Sequence, residues 1–217
     1  MGIKILATIG PSSLNKKVIE KMTDQGVSVF RINLSHTKLE DVEEVIKKIQ
    51  SWTEVPVCLD SEGAQIRNQD MINESVYFQE GSTIKIHHES IVGDSEKISF
   101  TPNNVAQQLQ VGDKIRVDFN SVCFVITGKE KDYLIATVER GGCVGSNKAA
   151  DTDSDVVLDP VTPKDIEAFK IGLRLGVKNF SLSFTNSSED VSQVRELIGY
   201  DVNLISKIES INGVLNL

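Results

Sequence analysis

Cysteine is scarce in this sequence, and its few residues are widely separated. The 217 residues include three cysteines, Cys58, Cys123 and Cys143, and no two of them form a CxxC pair. Small disulfide-stapled folds and cysteine zinc sites need more cysteines at closer spacing. The sequence therefore favours a protein of a reducing compartment, the cytoplasm, without a disulfide framework or a zinc site.

Basic residues and long apolar runs are also lacking. Lysine and arginine number 23 against 31 acidic residues, so the net charge is −8. General nucleic-acid binding needs a surplus of basic side chains along one face, and a transmembrane helix needs about 20 successive apolar residues. We therefore expect no nucleic-acid partner and no membrane partner. The hydrophobic content of 40% is ordinary for a globular chain.

The two outer stretches of the chain alternate short apolar runs with amphipathic segments. Strands are predicted at 3–9, 27–33, 55–59, 177–184 and 202–208, and helices at 16–25, 39–52, 163–175 and 188–198. Ser12 or Ser13 is expected to cap the first helix, and Thr162 to cap the helix that begins at Pro163. Strands that alternate with helices over short connections indicate a parallel sheet.

The middle of the chain has a different texture, with short β-rich runs between turn signals and no amphipathic helix of ordinary length. Strands are predicted at 75–78, 83–88, 97–100, 114–117, 123–127 and 133–138. This pattern is typical of a small all-β domain. We therefore predict a barrel-type domain at residues 1–65 and 158–217, and an inserted all-β lid domain at residues 66–157.

The outer segments hold about half of the ~250 residues that a (β/α)8 barrel takes. An open doubly wound sheet would also have five parallel strands, but the first turn lacks its Gly-rich dinucleotide fingerprint. The predicted fold class is therefore α/β, a partial (β/α)8 TIM barrel with an inserted small all-β barrel.

Polar residues fall at the end of the second predicted strand. Arg31, Asn33 and Ser35 share one parity, so we expect their side chains to face a common cavity. A guanidinium in that position suits a phosphate or carboxylate ligand. Alternatively, it pairs with a neighbouring carboxylate of the protein, and the sequence leaves both interpretations open.

The third and fifth predicted strands end in polar residues as well. Asp60 and Ser61 offer oxygen ligands suited to a hard cation, unless Asp60 simply pairs with an arginine such as Arg31 or Arg67. Lys207 and Glu209 share parity on the fifth strand and would face the barrel mouth. They could stabilise developing charge and hold Mg²⁺, or they could form a plain ion pair.

Four strings of this sequence resemble the pyruvate kinase family. They read ATIGPSS at 7–13, FRINLSH at 30–36, LDSEGAQIR at 59–67 and SKIE at 206–209, in the order and spacing of that family. The β-rich insertion is similar to the family's mobile lid domain, and Ser183-Phe184 resembles part of its fourth unit. The resemblance covers essentially the whole chain.

The resemblance implies phosphoryl transfer from phosphoenolpyruvate to ADP, which gives pyruvate and ATP in glycolysis. It implies that Arg31 binds the transferring phosphoryl group and that Lys207 stabilises the charge that develops. Glu209 would bind Mg²⁺ (or Mn²⁺). The implied K⁺ ligands are Asn33, Ser35, Asp60 and Ser61, and the implied nucleotide contacts are Asn33, Ser35, His36, Arg67 and Lys148.

The sequence also departs from the family's pattern. Glu62-Gly63-Ala64-Gln65 stands where the family has Lys-Gly-Pro-Glu, Asp118-Phe119-Asn120 where it has Asp-Asp-Gly, and Asn186 where it has Arg. The family's second Mg²⁺ carboxylate and further barrel strands have no counterpart in these 217 residues. We therefore expect weak or no activity from this chain alone, and a homo-oligomer or a separate chain that completes the barrel.

Two alternatives to a catalytic phosphotransferase remain open. The first is a diverged, non-catalytic pyruvate kinase-like module that binds an anionic ligand or a protein partner. The second is a lyase-type (β/α)8 enzyme in which Arg31, Glu209 and Mg²⁺ stabilise an enolate, although the β insertion argues against it.

Overall fold

The computed structural model describes residues 3–154 and 156–217 of the chain, which divides into two compact units. The first unit is Met1–Ala64 with Asp159–Leu217, and the second is Gln65–Leu158. Residues 1, 2 and 155, which the predicted domain ranges include, lie outside the described residues.

The elements follow one another in this order. The first unit begins with β1 (Ile5–Ile9), α1 (Lys16–Asp24), β2 (Val27–Asn33), a 3-10 turn (Leu34–His36), α2 (Leu39–Trp52) and β3 (Val57–Asp60). The second unit contains β4 (Ile66–Asn68), β5 (Val76–Phe78), β6 (Thr83–His87), β7 (Lys97–Thr101), α3 (Asn104–Gln108), β8 (Lys114–Val117), β9 (Val122–Lys129), β10 (Tyr133–Arg140), β11 (Gly142–Val144) and β12 (Ala149–Thr152). The first unit resumes with α4 (Pro163–Arg174), β13 (Asn179–Leu182), α5 (Ser188–Ile198), β14 (Asn203–Ser206) and α6 (Ile211–Leu215).

The first unit is built on a five-stranded sheet in the order β1-β2-β3-β13-β14. Every neighbouring pair in this sheet is parallel. Phe30 and Ile32 of β2 are buried in one core with Ile46 of α2 and Phe169 of α4, because alternate residues of a strand point to one face. The predicted α/β class is confirmed, with a parallel sheet of five strands in the described residues.

Helix starts in the first unit follow side-chain capping. The predicted cap at Thr162 is confirmed, since its side chain accepts from the Asp165 backbone N–H and Asp165 reciprocates. The predicted cap of α1 is wrong. Asn15 caps that helix by accepting from the Val18 N–H, whereas Ser13 closes the preceding turn on Gly10.

The second unit is a closed barrel of seven strands in the order β10-β6-β7-β4-β12-β8-β9. Strands β5 and β11 form a separate two-stranded sheet. The core of this unit contains Phe78, Phe100 and Phe124. Strands β4, β11 and β12 were not predicted from the sequence, because runs of three or four residues carry little periodicity.

The described residues contain no helix that is long and apolar enough to cross a membrane. The three cysteines are free.

Candidate functional site

Polar side chains of the first unit meet where the parallel strands end. Arg31 lies near the end of β2, Asp60 ends β3, Ser183 follows β13, and Lys207 and Glu209 follow β14. The carboxyl ends of parallel strands share one edge of the sheet, which is where α/β folds place their ligands. Asp60 is the centre of this group.

The Asp60 carboxylate is fully buried and bound by two cations. Arg31 Nε donates to Asp60 Oδ2 at 2.6 Å, and Arg31 Nη2 forms an ion pair with the same oxygen. Lys207 Nζ lies 3.2 Å from Oδ1 and 3.1 Å from Oδ2. A buried charge is tolerated when it is paired and hydrogen-bonded in this way. The sequence left open whether Arg31 pairs with a protein carboxylate, and the structure shows that it does.

The two cations are more accessible than the carboxylate that holds them. The side chains of Arg31 and Lys207 are 23% and 26% exposed, whereas that of Asp60 is 0% exposed. Arg31 Nη1 also donates to Thr8 Oγ1 at 2.8 Å, which fixes the guanidinium plane. A guanidinium and an ammonium in fixed positions suit the oxygens of a phosphate or carboxylate ligand.

Lys207 and Glu209 lie beyond strand β14, which ends at Ser206. The prediction that both lie on the strand is therefore wrong. The two side chains nevertheless meet, since Lys207 Nζ is 3.5 Å from Glu209 Oε2. Glu209 is 38% exposed, so its carboxylate can take part in the ion pair and still accept a further ligand.

Ser183 is a member of this group that the sequence analysis did not identify as a site residue. Its Oγ lies 2.8 Å from Lys207 Nζ, 2.7 Å from the Ser61 carbonyl oxygen and 3.4 Å from Asp60 Oδ1. The signal was present in the sequence, because Ser183 follows β13 just as Ser61 follows β3. A polar residue directly after a parallel strand is a candidate by position alone.

The residues that follow β2 form a 3-10 turn. Asn33 Oδ1 accepts from the Ser35 backbone N–H at 3.1 Å and starts this turn. Ser35 and His36 therefore lie in the turn, and the predicted parity of Ser35 with Arg31 is wrong because the strand ends at Asn33.

A lysine of α4 joins this turn to the loop after β3. Lys164 Nζ donates to the Leu34 carbonyl oxygen at 2.5 Å and to Glu62 Oε1 at 2.8 Å. Glu62 is one of the departures from the family pattern, and Lys164 compensates its negative charge.

The Asp165 side chain binds the backbone of the loop that follows β3. Its buried carboxylate accepts from the backbone N–H groups of Glu62 at 2.8 Å, Gly63 at 3.1 Å and Thr162 at 3.0 Å. Burial raises the pKa of Asp165 and outweighs the three backbone donors, which lower it. This loop is thereby fixed next to Asp60 and Ser61.

The predicted K⁺ ligands are partly engaged by the protein itself. Asn33 and Asp60 are register partners on adjacent strands, and Ser61 Oγ accepts from the Ser183 backbone N–H at 2.9 Å. Carboxylate, amide and hydroxyl oxygens fit a hard cation chemically. Glu209 likewise fits Mg²⁺ as a single carboxylate ligand. No group of three or more His, Cys, Asp or Glu side chains in residues 3–154 and 156–217 could hold a metal ion.

Arg67 and Lys148 belong to the second unit. Arg67 lies on β4 opposite Ala149 of β12, and its Nη1 donates to the Asn147 carbonyl oxygen at 3.0 Å. The Lys148 backbone N–H donates to Asn68 Oδ1, and its Nζ is 3.9 Å from Asp118 Oδ2. The two predicted nucleotide contacts are therefore close neighbours within this unit.

Comparison with known proteins gives a consistent result over the whole chain. A family model described as "Pyruvate kinase, barrel domain" matches residues 2–217. The pyruvate kinase of Mycobacterium intracellulare is 32% identical over 99% of this chain and 47% of its own length. The pyruvate kinases of Geobacillus stearothermophilus and Thermotoga maritima are each 30% identical, over 99% and 95% of this chain and 38% and 46% of their own lengths. The chain thus spans about half the length of the curated relatives it matches, or less.

Proposed function

The chain belongs to the pyruvate kinase family, and we propose that its first unit binds phosphoenolpyruvate for transfer of the phosphoryl group to ADP. The observation that carries this proposal is the pair of partly exposed cations, Arg31 and Lys207, held on the buried carboxylate of Asp60. Such a pair matches a ligand with two or three negative phosphoryl oxygens. The reaction would give pyruvate and ATP, and we place it with glycolysis in the cytoplasm.

Phosphoryl transfer depends on position and electrostatics more than on covalent participation of the protein. We assign Arg31 to the phosphoryl oxygens, because its planar fork can donate two parallel hydrogen bonds. We assign Lys207 to the oxygen from which the phosphoryl group departs, where negative charge develops as the P–O bond breaks. Asp60 keeps both cations in place and is not itself expected to contact the substrate.

The ion sites are part of the same proposal. Mg²⁺ or Mn²⁺ held by Glu209, and K⁺ held by Asn33, Ser35, Asp60 and Ser61, would neutralise phosphoryl charge during the transfer. The protein supplies two cations and two carboxylates here, namely Arg31, Lys207, Asp60 and Glu209, whose formal charges cancel. An anionic substrate therefore needs the additional positive charge that these ions would bring. For ADP, the proposal concerns Asn33, Ser35 and His36, while the roles of Arg67 and Lys148 remain predictions.

A second candidate is a module that binds phosphoenolpyruvate without turning it over. The observation in its favour is the small number of accessible carboxylates at the site. The Asp60 carboxylate is buried and paired with Arg31 and Lys207, so Glu209 is the exposed carboxylate for a divalent ion among the five converging residues. Binding would then persist while catalysis is weak.

Titration calorimetry with phosphoenolpyruvate, and a lactate dehydrogenase-coupled assay with ADP, Mg²⁺ and K⁺, test both candidates on the 217-residue chain. Replacing Arg31 with Gln should weaken phosphoenolpyruvate binding at least about tenfold, because a bidentate charged contact is lost. Arg174→Gln is the matched control, since Arg174 is exposed and pairs with Glu43 on the helices. Equal affinities of the two variants would contradict the proposal.

The coupled assay then separates the two candidates. Turnover above the background rate, even if weak, that is lost in Lys207→Met and kept in Lys170→Met supports the phosphotransferase. Binding with no detectable turnover supports the module. Lys170 is a suitable control because it pairs with Glu167 on the exposed side of α4.

A further inference from the structure

The turn that follows β13 touches both functional groups that follow β14. Ser183 contacts Lys207 through its side chain, and Phe184 contacts Glu209 through its backbone N–H. We propose that the Ser183-Phe184 turn is the positioning element that orients Lys207 and Glu209 for the phosphoryl group. This inference rests on the proposed function for its effect on phosphoenolpyruvate, but the orientation itself can be measured without a ligand.

The hydrogen bonds of Ser183 fix the direction of its lone pairs. A hydroxyl has one proton and accepts with two lone pairs. The close approach of Ser183 Oγ to the Ser61 carbonyl oxygen, at 2.7 Å, uses that proton because a carbonyl can only accept. Towards Lys207 Nζ, 2.8 Å away, Ser183 Oγ is therefore the acceptor.

The ammonium group of Lys207 consequently donates to two protein groups, the Asp60 carboxylate and the Ser183 hydroxyl. Glu209 Oε2, 3.5 Å from Nζ, is an ion-pair partner. Asp60 alone would leave the Lys207 ammonium group freedom to turn between the two carboxylate oxygens, because Nζ lies almost equally far from both. The contact with Ser183 removes this freedom and selects one orientation.

The backbone of the Ser183-Phe184 turn binds the Glu209 carboxylate. Phe184 has a φ of +52°, in the left-handed region that side-chain-bearing residues rarely adopt. In this conformation its N–H donates to Glu209 Oε2 at 3.2 Å. The strained conformation is held by neighbouring hydrogen bonds, from Thr185 N–H to the Lys207 carbonyl oxygen at 3.0 Å and from Lys207 N–H to the Leu182 carbonyl oxygen at 2.9 Å.

The turn is itself fixed from the side of β3. The Ser183 N–H donates to Ser61 Oγ at 2.9 Å, and Ser183 is only 3% exposed. Gly63, with a φ of +72°, lies so close that a side chain there would overlap the Ser183 backbone. Ser183 is thus positioned by two rigid neighbours, and it acts on the substrate only through Lys207.

The test compares Ser183→Ala with Ser181→Ala in the full 217-residue chain. Ser181 is a matched control because it is equally buried two residues earlier, with its hydroxyl against Cys58 Sγ at 3.3 Å. The first readout is the ¹⁵N NMR signal of the Lys207 ammonium group, assigned by its loss in Lys207→Arg. An ammonium hydrogen-bonded to both Asp60 and Ser183 exchanges its protons slowly, so we expect a sharp signal in the unmodified chain and in Ser181→Ala, and a broadened or absent one in Ser183→Ala.

The second readout is the affinity for phosphoenolpyruvate, which should fall about tenfold in Ser183→Ala and less than about twofold in Ser181→Ala. Ser183→Thr keeps the hydroxyl and should restore the ammonium signal, and Ser183→Cys, with a weak acceptor, should not. An unchanged ammonium signal in Ser183→Ala, or in Ser183→Cys if the alanine variant does not fold, overturns the positioning role. If the unmodified chain does not bind phosphoenolpyruvate, the proposed function fails, while the ammonium signal still decides the positioning role.

Discussion

At the scale of single residues, the site depends on one buried carboxylate. Asp60 has no exposed surface, yet two cations and a hydroxyl surround it. The cost of desolvating a carboxylate is offset only by partners of this kind. Removing the negative charge would leave Arg31 and Lys207 close together without a common counter-charge.

We therefore expect Asp60→Asn to destabilise the first unit by about 2–4 kcal/mol. The amide has nearly the same shape, so the loss reports charge more than volume. Urea unfolding followed by circular dichroism measures it, with Asp201→Asn as the control because Asp201 is exposed. Equal unfolding midpoints for the two variants would show that Asp60 contributes no more than a surface acid.

Asp165 gives a prediction about pH. Burial raises its pKa in the folded chain above the ordinary value of 3.8, so the folded state holds this proton more tightly than the unfolded state does. The contribution of Asp165 to stability is then complete below the unfolded pKa and is lost as the pH rises through the folded pKa. Asp165→Asn cannot ionise, so its free energy of unfolding relative to the unmodified chain should increase as the pH rises from the ordinary value of the Asp165 pKa, 3.8, through the raised folded pKa.

Urea unfolding of both proteins at several pH values measures this difference in the free energy of unfolding. The contributions of the other titrating groups are common to both proteins and largely cancel. The three backbone N–H donors add a constant offset, since an amide oxygen accepts fewer of them than a carboxylate does. A difference that stays flat or decreases over this range would contradict the raised pKa.

At the scale of elements, the strand ends hold the site, and the loops after them are tied together. Lys164 of α4 reaches both the turn after β2 and the loop after β3. The salt bridge with Glu62 is about three-quarters buried, so solvent screens it less than it screens a surface pair. Glu62 carries a negative charge where the family has a lysine, and Lys164 neutralises that charge within the first unit.

Lys164→Met should accordingly cost about 1 kcal/mol of stability and loosen the turn that carries Ser35 and His36. Hydrogen exchange measured on the backbone amides of residues 34–37 should become faster. Lys170→Met on the same helix removes an exposed pair with Glu167 and should leave those amides unchanged. Equal exchange rates in the two variants would mean that Lys164 does not hold the turn.

The elements that the sequence predicted well are those with a strong periodic or capping signal. The helix from Leu39 to Trp52 and the capping box at Thr162 are examples, because apolar spacing and a Thr-Pro-Lys-Asp start are purely local signals. Strand ends were less predictable, since the hydrogen bonds that define them come from distant residues. Lys207 and Glu209 were placed on a strand for this reason, although their meeting was among the predicted alternatives.

Site residues could be predicted from the sequence where the side chain is charged and lies at the end of a predicted strand. Arg31, Asp60 and Lys207 stood out as charged groups at strand ends. Ser183 did not, because a serine is common and its importance depends on a contact with Lys207, which is 24 residues away. The compensation of Glu62 by Lys164, over 102 residues, is likewise invisible without tertiary structure.

At the scale of the whole chain, each unit has a hydrophobic core of its own. The second unit closes its sheet into a barrel, whereas the sheet of the first unit has two outer strands, β1 and β14. These strands expose apolar side chains, among them Ile5, Leu6 and Ile205. Parallel sheets in proteins are usually covered on both faces and at their edges, so we expect the outer strands to drive association of this chain.

The last prediction concerns that association. Ile205 of β14 is 44% exposed, and Ile205→Lys places a charge on the outer strand, which is how natural sheets prevent edge-to-edge pairing. We expect the 217-residue chain to associate as its concentration rises, and Ile205→Lys to raise the dissociation constant at least about fivefold, a change of roughly 1 kcal/mol. Sedimentation velocity over a range of concentrations measures this dissociation constant.

Ile72→Lys makes the same change at an exposed position of the second unit and controls for net charge and solubility. If both lysine variants associate equally, the outer strand is not the interface. If Ile205→Lys becomes monomeric and still binds phosphoenolpyruvate, the ligand site is complete within one chain, because Arg31, Asp60 and Lys207 are all supplied by the same first unit.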